Sequence, residues 1–156
     1  RIDLRELIEA IVTTTAHQAA EANATIRVEP LPTIVSDRLA LEQIFSNLID
    51  NAIKYLRPGR PGDIAIRART KLGFAILEIA DNGRGIDPKD HQRIFELFRR
   101  AGVQDRPGQG IGLAHVRALV RRLGGTMSVA SELGQGSTFT ITLPINWNAS
   151  NRNSDR

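Results

Sequence analysis

The chain contains no cysteine. That removes disulfides, thiolate nucleophiles and cysteine zinc sites at once, and it fits a reducing, cytoplasmic setting. Aromatic residues make up only 4%, with a single Trp and a single Tyr, so a core must be assembled from Leu, Ile, Val and Ala. No apolar run approaches the ~18 residues that a membrane helix needs. No charged-then-apolar leader opens the chain either. The first residue is Arg1 rather than Met, so the sequence reads as a segment of a longer protein, with any anchor elsewhere. Lys and Arg number 21 against 17 for Asp and Glu. They are scattered, with pairs at Arg99-Arg100 and Arg121-Arg122, and form neither a basic stripe interleaved with aromatics nor a zinc-finger spacing. Nucleic acid is not an expected partner; a small polyanion fits the modest positive charge.

The 156 residues suit one domain with one core. Leu4, Leu7, Ile8, Ile11 and Val12 recur at helical spacing, which predicts a helix over 3–24 with Asp3 as its cap. Ile26–Glu29 alternates like a short strand and Pro30 and Pro32 break it; Ile34-Val35 is a second short strand. A helix is predicted from Asp37 to Tyr55, with Leu39, Ile44, Leu48, Ala52 and Tyr55 along its apolar side. The Pro- and Gly-rich stretch 56–62 forces a turn. Residues 63–70 and 73–80 alternate as a hairpin through Lys71-Leu72-Gly73. A glycine-punctuated loop covers 81–86, and Pro88 opens a short helix packed by Ile94, Phe95 and Phe98. Residues 99–110 read as a mobile loop. A helix follows from Ile111 to Leu123, closed by Gly124-Gly125. The last strands are placed at 126–132 and 137–143, and a polar tail over 145–156 is expected to fray. The sum is an α+β two-layer sandwich, a mixed sheet with helices on one face.

Four stretches carry candidate chemistry. On the second long helix, Asn47 and Asn51 are four apart and Lys54 three further on, so the three share one side. Two amides and an ammonium there suit a magnesium polyphosphate, since amide oxygens coordinate hard cations and Lys is a point charge for phosphate. The same residues also read as a solvated polar face. Asp81-Asn82-Gly83-Arg84-Gly85-Ile86 follows a strand. A carboxylate there can accept a bond from an exocyclic amine, while the glycines let a flat base come close; alone, Asn-Gly is an ordinary turn. Gly108-Gln109-Gly110-Ile111-Gly112-Leu113 leads into a helix and offers backbone N–H groups and a positive helix end to phosphate. It is neither a dinucleotide fingerprint nor a P-loop, because no strand–turn–helix unit surrounds it and no Gly-Lys-Ser/Thr follows. Gly134-Gln135-Gly136-Ser137-Thr138-Phe139 in isolation is a hairpin turn.

The order of these stretches resembles the catalytic domain of sensor histidine kinases, within the ATPase group that also contains gyrase, Hsp90 and MutL. Residues 47–55 resemble its N box, 81–86 its G1 box, 95–98 its F box, 108–113 its G2 box and 134–139 its G3 element, over roughly 30–144. The resemblance implies a Bergerat-type ATP-binding fold. It implies ATP and Mg²⁺ as cofactors, bound between the Asn-bearing helix and a lid over Arg99–Gln109. It implies Asn51, with Asn47 and Gln109, as metal ligands, and Asn51 and Lys54 as the catalytic pair. Tyr55 is implied against the adenine, Asp81 on its amine, and Gly83 and Gly85 as room for the base. Gly108, Gly110, Gly112 and Leu113 are implied at the phosphates and Thr138 at the adenine edge. Arg84, Arg99, Arg100 and Arg106 are candidates for further phosphate contacts.

The family's acceptor histidine lies on a separate dimerisation hairpin and is followed by an acid. His17, His91 and His115 do not match that pattern, so the acceptor domain is expected outside this segment. Residues 1–24 read as its connector or as the first helix of a catalytic domain spanning 25–144. The implied partners are the parent's dimerisation domain and a response-regulator receiver; the segment alone is expected to be monomeric. Three rivals share the pocket. An anti-sigma serine kinase would lack the F box and long lid. A gyrase- or MutL-type clamp would need a water-activating acid, for which Glu42 or Asp50 would stand. A degenerate binding module would not need Asn51, Asp81 and the glycine boxes intact.

Overall fold

The computed structural model describes residues 1–57, 59–85 and 112–147. The chain enters through β1 (Ile2–Asp3) and α1 (Leu4–Thr14), followed by α2 (Ala16–Glu21), β2 (Ala24–Val28), β3 (Thr33–Ile34) and α3 (Arg38–Lys54). Then come the β4 (Gly62–Lys71) and β5 (Phe74–Asp81) hairpin, α4 (Leu113–Arg122), β6 (Thr126–Glu132) and β7 (Gly136–Pro144). Five strands form one sheet in the order β2-β4-β5-β7-β6, with β2 parallel to β4 and the other pairs antiparallel. The mixed α+β sandwich expected from the pattern is therefore what forms.

One face of this sheet is apolar and the helices cover it. Ile64 and Ile66 of β4, Ala75, Leu77 and Ile79 of β5, and Phe139, Ile141 and Leu143 of β7 are all buried. Alternation along a strand puts them on the same side. Against them α3 lays Leu41, Ile44, Phe45, Leu48 and Ile49, and α4 lays Val116, Leu119 and Val120. Leu4, Leu7 and Ile8 of α1 join the same core. Truncating a fully enclosed member such as Ile44 to Ala should cost about 2–5 kcal/mol.

Local chemistry sets several boundaries. Asp3 and Asp37 cap α1 and α3 by accepting from the N–H groups of Glu6 (3.2 Å) and Ala40 (3.1 Å). The single helix expected over 3–24 is instead two helices, broken at Thr15. The hydroxyls of Thr13, Thr14 and Thr15 donate to the carbonyls of Glu9, Ala10 and Ile11, a back-bonding that competes with the helix ladder and bends it. Asn23, at φ +54°, then ends α2, and β2 starts two residues earlier than expected.

Leu39 is also corrected. It is 67% exposed, because the core-facing row of α3 begins with Ala40 and Leu41. The described start of the tail, residues 145–147, differs from expectation too. Val35 N–H donates to Ile145 O (2.7 Å) and Trp147 N–H to Val35 O (2.9 Å), and Trp147 packs on the core edge. The expected Pro88 helix, the Phe95–Phe98 box and the Arg99–Gln109 loop lie outside the described residues.

Candidate functional site

A pocket opens where α3 ends, β5 ends and α4 begins. It is lined by Asn51, Ala52 and Tyr55 from α3, Asp81, Arg84 and Gly85 after β5, Leu113 from α4, and Ser137 and Phe139 from β7. The lining is mostly apolar with few polar groups, the usual composition of a small-molecule site.

Asp81 is the polar centre. It is the last residue of β5, opposite Ser137 on β7. Its carboxylate accepts from Gly83 N–H at 2.9 Å. Burial pushes this carboxyl above its ordinary value, while the Gly83 N–H donates to it and opposes the shift. An acceptor in a partly apolar pocket suits a ligand N–H₂, which would repair the lost hydration.

The turn after Asp81 is tied down on both sides. Arg84 N–H donates to Tyr55 O (3.0 Å) at the end of α3, and Gly134 N–H donates to Arg84 O (2.7 Å) from the β6–β7 turn. A Cβ on Gly83 would run into the Tyr55 carbonyl. One on Gly85, at φ +75°, would run into the Glu132 carbonyl. The glycines thus make room for the protein's own backbone at the pocket wall. Asn82 holds the other side: its Oδ1 accepts from Asp63 N–H (2.8 Å) and its Nδ2 donates to Pro61 O (3.1 Å). Arg60 donates to the Asn82 carbonyl, and Arg57 Nη1 to Gly134 O (3.1 Å). These two arginines and Ser137 were not singled out from the sequence. Clamps to carbonyls 22 and 77 positions away carry no local signal.

The expected residues are placed unevenly. Asn51, Tyr55, Asp81, Gly85 and Leu113 line the pocket, and Gly83 is bonded to Asp81 beside it. Gly112 caps α4, so the positive end of that helix sits at Leu113. Thr138 does not line the pocket. Strand alternation gives that face to Ser137 and Phe139, and Thr138 projects to the open side of the sheet. Ser137 Oγ is also bonded to Ser131 Oγ (2.9 Å). Asn47 and Lys54 are not pocket-lining either. Asn47 borders a groove between α1 and α3, with Nδ2 donating to Gln43 O (2.7 Å), and Lys54 Nζ lies 2.7 Å from Asp50 Oδ2. Gly108, Gln109 and Gly110 lie outside the described residues.

Comparison with known proteins identifies the family. Residues 36–146 match the family described as histidine kinase-, DNA gyrase B-, and HSP90-like ATPase. Cyanobacterial phytochrome A of Nostoc is 39% identical over 81% of the chain and 16% of its own length. The sensor histidine kinase Hik2 of Synechocystis is 41% identical over 82% of the chain and 34% of its length. Among solved structures, ShkA in complex with AMPPNP superposes with a TM-score of 0.78 at 34% identity, covering 95% of this chain and 31% of that one. The mycobacterial sensor histidine kinase MprB gives 0.76 at 28% identity, covering 94% and 97%.

A two-layer sandwich with a half-buried acid and an amide-bearing helix at one pocket defines an ATP-binding domain, and the chain belongs to the histidine kinase-, DNA gyrase B- and HSP90-like ATPase family. Within that family its relatives place it with the catalytic domains of histidine kinases. The family implies ATP as the ligand. The chain spans about a sixth to a third of the length of the curated relatives named above. Among the described residues, no helix is long and apolar enough to cross a membrane.

Proposed function

We propose that the pocket binds the adenine of Mg²⁺-ATP and that the domain transfers the γ-phosphoryl group to a histidine on a separate dimerisation domain of the parent protein. The observation that carries this reading is the position of Asp81 and Asn51 on two walls of one pocket. Asp81 accepts from the adenine amine. Tyr55, Leu113 and Phe139 enclose the ring. Ser137 stands at the ring's polar edge, in the role expected for Thr138. Lys54 and the N-terminal end of α4 meet the phosphates.

A magnesium ion fits the donors present. Among the described residues no group of three or more His, Asp or Glu side chains comes together. Mg²⁺ is characteristically held by one or two protein groups, with phosphate oxygens and water completing its shell. Asn51 offers a hard amide oxygen at the pocket, and Asn47 a second, one turn earlier. Its Nδ2 is already engaged by Gln43, which leaves the oxygen for a ligand. Held by these residues, the ion would supply charge neutralisation for the phosphate groups. In the transfer, the bond from the γ-phosphorus to the bridging oxygen breaks, a nitrogen–phosphorus bond forms on one nitrogen of the imidazole, ADP leaves, and the proton of the other ring nitrogen passes to solvent. The domain's own residues act by position and charge. A response-regulator receiver is the expected next acceptor.

Calorimetric titration of ATP, with and without Mg²⁺, tests the reading. Binding should strengthen with Mg²⁺, and Asn51→Ala should remove most of that gain. A folded sample that binds no ATP under either condition overturns the proposal. Binding without transfer to any histidine hairpin of the parent would overturn the acceptor assignment alone.

A further inference from the structure

Lys54 stands one helical turn beyond two different polar residues, four positions after Asp50 and three after Asn51, so its side chain can lean to either. In the structure it leans to Asp50, with Nζ 2.7 Å from Oδ2. The two side chains are only 24% and 26% exposed. The neighbours face different spaces. Asn51 lines the base pocket. Asp50 lines the open groove of about 700 Å³ between α1 and α3, together with Glu6, Arg38, Glu42 and Asn47. Among the described residues that line the groove the one cation is Arg38, which is bridged to Glu42 at 3.8 Å. Lys54 is therefore Asp50's ion-pair partner, and the pair draws the ammonium to the groove side of α3.

We propose that Asp50 is a positioning residue for Lys54, a counter-ion that competes with the phosphates of ATP for the ammonium and so limits how tightly the nucleotide is held. The proposal rests on the ATP reading above. For Lys54 to donate to a phosphate, its 2.7 Å contact with Asp50 must be broken or shared. Sharing it brings a carboxylate towards a polyanion, and the shielded setting makes both terms larger than they are at a free surface. The consequence suits a phosphotransferase. A contact made equally with substrate and transition state tightens binding without speeding the chemistry, so a competitor for it moderates nucleotide affinity at little catalytic cost.

A double-mutant cycle on Mg²⁺-ATP affinity tests this, using wild type, Asp50→Asn, Lys54→Ala and the double variant, each checked for folding by circular dichroism. Asp50→Ala serves as a second, non-isosteric replacement. Both Asp50 variants should tighten binding by roughly three- to tenfold, the range expected when a partly shielded competing charge is removed. Lys54→Ala should weaken binding. In the Lys54→Ala background the gain from Asp50→Asn should fall below about twofold, because the two side chains act through each other. An equal gain in both backgrounds would mean that Asp50 only repels the phosphates through space, and would overturn the proposal. Weaker binding by Asp50→Asn would overturn it as well, by making the ion pair the productive arrangement. No binding by folded wild type would overturn the ATP reading itself, and this proposal with it.

Discussion

Asp81 and Ser137 face each other across β5 and β7, and both line the pocket. This pairing joins the sheet to the pocket, because the hydrogen-bond ladder that registers the two strands also sets the acid at the pocket wall. Burial raises its pKa above the ordinary 3.8. The folded protein therefore holds the Asp81 proton more tightly than the unfolded chain does. The resulting stability is fully present below the unfolded value and is lost as pH rises through the folded one. The stability of Asp81→Asn relative to wild type should accordingly be more favourable at pH 7 than at pH 4, as read by thermal melts at the two pH values. The same variant should bind ATP at least tenfold more weakly, an effect of about 1.4 kcal/mol or more. A difference in melting temperature that does not change with pH would contradict the assignment.

Two glycines with similar backbone angles should respond differently to alanine. Gly59 has φ +81° and open space where a Cβ would go. Gly85 has φ +75° and the Glu132 carbonyl there. Gly59→Ala should cost about 1 kcal/mol, the left-handed strain alone, or about 3 °C in Tm. Gly85→Ala adds a backbone clash and should cost more than about 3 kcal/mol. Comparable melting points for the two variants would mean that the β6–β7 turn moves aside freely.

The β4–β5 hairpin turns through Leu72 and Gly73, both at positive φ, +52° and +84°. Leu72 is 88% exposed and anchors nothing. Leu72→Asn supplies the pair favoured at such turns and should stabilise the fold by about 0.5–1 kcal/mol, seen as a higher Tm.

Thr138 and Ser137 separate an expectation from sequence from the arrangement in the fold. Thr138→Ala should change ATP affinity by less than about twofold. Ser137→Val, which puts an apolar group into the pocket and breaks the bond to Ser131, should weaken it by at least about fivefold. Calorimetry on the two variants decides between them.

Much of the fold was legible because its signals are local. Asp3 and Asp37 act as caps within three residues of themselves, and the alternation in β4, β5 and β7 marks the buried face without reference to any neighbour. What was missed involved competition or rotation. The threonines at 13–15 each favour a helix break through bonds that spacing does not show. Leu39 looked like a core residue because the buried row of Ile44, Leu48 and Ala52 was carried back to it, one position past Ala40. Thr138 and Ser137 differ by a single step along a strand, and a one-residue step reverses the face. The tail looked polar, yet the backbone pairing of Ile145 and Trp147 with Val35 depends on a segment about 110 positions upstream.

By itself the sequence determined the elements, the order of the motifs and the chemical types at the pocket: a carboxylate, amides, glycines and a lysine. Those follow from short-range sterics and from side-chain chemistry. Only the tertiary structure decided which of them converge. Strand register put Ser137 rather than Thr138 beside Asp81. Close backbone approach, more than space for a ligand, accounts for Gly83 and Gly85. The packing of α3 between α1 and α4 turned Asn51 to the pocket and Asp50 to the groove, with Lys54 drawn to Asp50. A helix has a defined period, but its rotation is set by the neighbours it buries itself against.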